Sequence, residues 1–105
     1  MSTSEEISST ITLIQNHFSL SKDELQLQSQ SINDLQIQLA KLINYLLNKD
    51  MERLLHAFYR IDLDEQVFNR IISEDTPENI ALNLAQEVIK RELQKVKTRA
   101  KYKGI

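Results

Sequence analysis

Ile7, Ile11, Ile14 and Phe18 recur at steps of four, three and four, which sets them on one stripe of a helix over residues 4–18. Thr3 with Glu6 has the spacing of a capping box at its start. Ser8, Ser9, Thr10 and Thr12 compete for backbone hydrogen bonds, and Ile11 and Ile14 lose side-chain freedom, so this helix is expected to depend on packing. A longer helix is predicted over 22–48. There Leu25, Ile32, Leu35, Leu39, Leu42 and Leu46 fill six of seven a/d heptad positions, and Gln28 interrupts the seam. The alternation in Leu25-Gln-Leu27 and Leu35-Gln-Ile37-Gln-Leu39 has the period of a strand. Gln and Leu favour helix, however, and Leu42, Ile43, Leu46 and Leu47 restore helical spacing. Ser21 with Glu24 marks the start, and Ser31 with Asp34 marks an alternative, later one.

Asp50 is placed to cap a third helix over 50–61, whose stripe is Met51, Leu54, Leu55, Phe58 and Tyr59. Asp62 with Glu65 reads as the opening of a short helix over 63–73 that carries Leu63, Val67, Ile71 and Ile72. Thr76-Pro77 is the clearest start signal, because proline at the first helical position gives up an amide that has no partner there. The helix that follows, 77–102, has Ala81, Ala85, Val88, Ile89, Leu93 and Val96 as its seam. At ~1.5 Å per residue the second and last helices are each roughly 35–40 Å long, and the two short ones laid end to end match them. The economical fold is all-α, an up-down bundle of four to five helices in a single domain with its third helix broken near residue 62. The first helix, at roughly 20 Å, is too short to cover its neighbours and should leave apolar surface open.

Composition narrows the class further. One Gly and one Pro in 105 residues build few turns, which argues against hairpin-rich and βαβ folds. Phosphate-cradling glycine loops are likewise excluded. With no Cys there is no disulfide, thiolate metal site or thiol nucleophile. No basic-then-apolar leader and no apolar run long enough for a bilayer is present, so a cytoplasmic protein with no membrane contact is expected.

Candidate chemistry is sparse. Glu52 and His56 share a helix face at i,i+4, but a di-iron bundle needs Glu three residues before His, and twice. His17 and His56 are therefore read as structural or solvent-facing. The acidic groups Asp62, Asp64, Glu65, Glu74 and Asp75 sit at predicted helix starts, where capping accounts for them. No cofactor, metal or catalytic residue is expected, and the chain does not read as an enzyme.

Charge is the one anomaly. The net −2 divides into 6 basic and 14 acidic groups over 1–89 and 7 basic and 1 acidic over 90–105. A helix C-terminus favours cations only within its last turn, so the dipole explains two or three of the seven. Lys95, Lys97, Arg99, Lys101 and Lys103 are thus candidates for an anionic partner, or simply the solvated overhang of residues 97–105. On a helical wheel these cations flank the apolar seam on both sides. Nucleic acid is a weaker reading, because an anionic body repels it, and 50–73 lacks the glycine common in a helix-turn-helix.

Tyr59-Arg60-Ile61-Asp62, the acidic Asp64-Glu65, and Arg91-Glu92-Leu93-Gln94-Lys95 with Arg99 resemble a pattern in small bacterial all-helical proteins. The resemblance covers roughly residues 45–99 and implies an all-helical fold and no activity. It suggests a structural hinge in which Tyr59 and Ile61 pack at the break, Arg60 pairs with a carboxylate, and Asp62 and Glu65 open the next helix. The expected function is a protein–protein interaction or oligomerisation module, first of all a homodimer. Its self-interface would draw on Leu25, Leu27, Ile32, Leu35, Ile37, Leu39 and Leu47, with a protein partner in the open groove as the other occupant.

Overall fold

A computed structural model describes residues 4–20 and 31–103, apart from the side chains of residues 74, 102 and 103. The described residues form an all-α bundle: α1 (Ser4–His17), α2 (Ile32–Lys49), α3 (Met51–Ile61), α4 (Glu65–Glu74) and α5 (Pro77–Lys103). Expectations for residues 22–30, including the Ser21–Glu24 box, and for Thr3 lie outside the described residues.

Local chemistry sets the helix ends. Ser31 is extended, and its Oγ accepts from the Asp34 amide at 3.1 Å, which starts α2. Asp50 serves two helices at once: its amide donates to Leu46 O at the end of α2, and its carboxylate accepts from the Arg53 amide at the start of α3. At Thr76-Pro77 the threonine carbonyl accepts from the amides of Asn79 and Ile80 and begins α5.

The break near residue 62 is built differently from the sequence expectation. Asp62 is not the cap of α4. It stands in the left-handed region (φ 63°, ψ 47°), where its amide donates to Tyr59 O while the Leu63 amide reaches Phe58 O. That is a Schellman closure, which a left-handed residue makes possible and glycine usually provides. Asp64 caps α4 by accepting from the Gln66 amide, so the helix starts two residues later than predicted. The end of α1 repeats the device: Ser19 has φ 54°, with Ser19 N to Asn16 O and Leu20 N to Gln15 O. A chain whose single glycine is Gly104 must use Ser and Asp at both positions, at a cost on the order of 1 kcal/mol each. Leu20 and Leu63, the residues after the turns, pack on the core as that motif favours.

The largest helix pairings are α2 with α5 and α1 with α5, so α5 is the spine. Helix α1 runs antiparallel to it, with His17 at Glu92 and with Glu5 and Glu6 lining one groove with Arg99. Helix α4 does the same, with Asp75 bonded to Asn83 and the chain before α4 reaching Arg91 through Asp62. Leu35, Leu39, Ile43 and Leu46 of α2 meet Leu84, Ala85 and Val88 of α5 in the same buried cluster. Edge-on ring contacts from Phe18 to Phe58 (6.4 Å) and from Phe58 to Phe68 (5.4 Å) join α1, α3 and α4. The longest dimension, 42 Å, matches the roughly 40 Å length of α5.

Candidate functional site

Among the described residues, side chains of chemical interest gather in a buried polar cluster, in a groove between α3 and α4, and at the exposed end of α5. The buried cluster is the one that sequence reasoning missed. Glu92 is fully buried, yet it is the only acid among the last sixteen residues. Its Oε2 lies 2.7 Å from His17 Nδ1 and its Oε1 accepts from Lys95 Nζ at 3.0 Å. Lys95 also donates to the carbonyl of Ile61. One carboxylate therefore ties α1, α3 and α5 together. A signal was available: Glu92 follows Ala85 and Val88 and precedes Val96 at steps of three, four and four, which is the inward face. The seam residue predicted there, Leu93, is only half-buried.

The α3–α4 groove opens around the break. Leu55, Phe58, Tyr59, Leu63 and Phe68 give it an apolar floor, and Asp62, Asp64 and Glu65 rim a space of about 480 Å³. Met51, Leu55 and Tyr59 follow each other at steps of four along α3 and are all exposed, Tyr59 at 88%. The expectation that Tyr59 packs at the break is thus corrected, because the Schellman turn turns Ile61 inward and leaves Tyr59 outside. Arg60 reaches Ser19 Oγ at 2.7 Å and not the expected carboxylate. The Asp62 carboxylate pairs loosely with Arg91 at 3.4 Å, and Glu65 is exposed.

The self-interface predicted on α2 is largely used within the chain. Leu35 and Leu39 are fully buried in the core, and Ile32 and Leu47 pack half-buried against it. Only Ile37 stays exposed among the described members of that set, while Leu25 and Leu27 lie outside the described residues. The seam is apolar because α5 covers it, and a helix can bury such a face on its own chain as readily as on a copy.

The basic end of α5 also resolves into parts. Lys95 is committed to Glu92, and Arg91 to Asp62 and Gln94. Beyond Val96 every described side chain to Lys101 is exposed, including Lys97 and Arg99. Arg99 borders a groove of about 570 Å³ that also holds Glu5 and Glu6 of α1. Lys103 has no described side chain. Lys90, Lys97 and Lys101 share one shallow groove with Leu93, Gln94 and Thr98. The cations thus sort onto separate faces, with three lysines in one row.

Among the described residues no group of three or more His, Asp or Glu is placed to hold a metal ion. No helix there is long and apolar enough to cross a membrane. The class defined by this architecture is an all-α helical bundle with an acid-rimmed apolar groove. In comparison with known proteins, no family model, curated protein or solved structure matches the chain.

Proposed function

We propose that the chain is a non-enzymatic helical interaction module, acting in the cytoplasm, that self-associates through α3 and the mouth of the α3–α4 groove. The observation that carries this reading is the exposed line Met51, Leu55 and Tyr59, ending at a groove floored by Phe58, Leu63 and Phe68. An aromatic ring left 88% in water gains nothing for the monomer's core, whereas burying one removes ~150–250 Å² from solvent. Tyr is also a residue type enriched at the energetic centre of interfaces. A second copy is the favoured occupant because the same chain carries both an acidic rim and an exposed basic face.

Sedimentation equilibrium from low to high micromolar concentration tests the proposal. The wild-type chain is expected to associate, and Leu55→Ser with Tyr59→Ser is expected to hold it monomeric with unchanged helicity. A wild-type chain that remains monomeric at high micromolar concentration refutes self-association. A second reading, an anionic partner on α5, draws support from the lysine row, but the acidic body opposes a polyanion.

A further inference from the structure

The surface that fills the groove can be named if the chain self-associates as proposed. Lys97 and Lys101 follow Lys90 by seven and eleven residues, which at about 100° per residue puts all three within ~40° of one line along α5. Their backbone positions are spaced by about 10 Å and about 6 Å along the axis. All three are exposed, and none has a hydrogen bond or ion pair among the described residues. The other described cations of this stretch are placed differently, since Arg91 and Lys95 have internal partners and Arg99 lines a separate groove that also holds Glu5 and Glu6. Three lysines held in a row, with the half-buried Leu93 and the exposed Gln94 between them, form a surface with no partner among the described residues.

We propose that the Lys90–Lys97–Lys101 face of α5 in one copy seats on the α3–α4 groove of a second copy. The match is one of chemistry on both levels. Lysine stems are apolar and lie along apolar surface while their ammonium ends stay with polar groups. On the groove, the stems cover Leu55 and Tyr59, and the ammonium ends reach the exposed carboxylates of Asp62 and Glu65 at its rim. The exposed Tyr59 ring adds a π-face for one of them. Asp62 touches Arg91, the neighbour of Lys90 in sequence, so the acidic rim and the basic row border each other along α5. A two-fold axis between them lets each copy give its row and receive its partner's, which closes the assembly as a dimer. A nucleic-acid strand would also meet three lysines, but it would face a body with 14 acidic and 6 basic groups over residues 1–89.

The test is a charge exchange read by sedimentation equilibrium on the full chain. One variant carries Lys90→Glu, Lys97→Glu and Lys101→Glu. The other carries Asp62→Asn and Glu65→Lys, and it keeps Asp64 because that residue caps α4. Each alone is expected to weaken association by about 30-fold, since three lysine contacts in the one and two carboxylate contacts in the other become neutral or repulsive. Mixed in equal amounts, the two are expected to associate within about threefold of wild type, because each altered face then meets its complement. Recovery on mixing also shows that both variants are folded.

If wild type associates and the triple lysine variant associates equally well, the row is not the occupant, although self-association stands. If wild type is monomeric throughout, the functional reading fails as well. Labelled 20-nucleotide single-stranded and duplex DNA supplies the competing arm. Binding that is lost in the lysine variant, while its self-association is unchanged, assigns the row to a polyanion and overturns the proposal.

Discussion

Replacing Glu92 with Ala removes a carboxylate that is wholly buried and accepts from cationic or polar donors on two sides. Breaking a buried charged pair by deleting one partner costs ~3–5 kcal/mol, since the remaining charge stays in a poor environment. Here the partners retain some water, with side-chain exposures of 23% for His17 and 20% for Lys95, which places the cost at the low end, ~3 kcal/mol. An unfolding entropy of ~2.1 cal/mol/K per residue gives about 220 cal/mol/K for this chain, so the melting temperature should fall by ~13 °C. Thermal denaturation followed by circular dichroism reads that shift. Glu92→Gln keeps the shape and should lose more than half as much. Glu92→Leu combined with Lys95→Met leaves no charge buried at the site and should recover much of the stability. Hydrogen exchange should show the α1 amides losing more protection than those of α2, because His17 is the α1 end of the cluster. If Glu92→Ala and Glu92→Gln both melt within ~3 °C of wild type, the cluster does not hold α1 to the bundle and the reasoning is wrong.

Two further outcomes follow from the same structure. Thr10 is fully buried and its hydroxyl has no hydrogen-bond partner among the described residues, so Thr10→Val should be neutral or stabilising by up to ~1 kcal/mol in urea denaturation, and a loss above that size would reveal a missing partner. Asp64→Ala removes the cap of α4 and should cost ~1 kcal/mol, seen as a melting temperature about 4–5 °C lower, whereas an equal loss from Glu65→Ala would return the cap to the predicted pair.

The difference between what was readable and what was not follows one physical line. Asp50 and Thr76-Pro77 mark helix starts in the sequence and do so in the structure, and Ser31, the alternative start of the second helix, caps α2, because capping is settled within four residues of chain. The break at residue 62 was readable, but the role of Asp62 was not. Whether an acid caps the next helix or turns left-handed to close the previous one depends on how Leu63 and Ile61 reach the core. By residue type Lys95 is one of several tail cations, and only the packing of α3 against α5 sets it beside Glu92 and Ile61 O.

From the sequence alone come the all-α class, a count of four to five helices and most of the stripe each one offers, because periodicity and capping act over a few residues. The tertiary structure decided what covers each stripe. The α2 seam, apolar enough to suggest a second copy, is covered by α5 of its own chain, while the α3 line of Met51, Leu55 and Tyr59 is left open. It also turned the one acid of the basic end inward, where two donors offset its desolvation. A stripe records that a face is apolar or charged, and only the arrangement of neighbouring helices determines whether water, the chain itself or another molecule meets it.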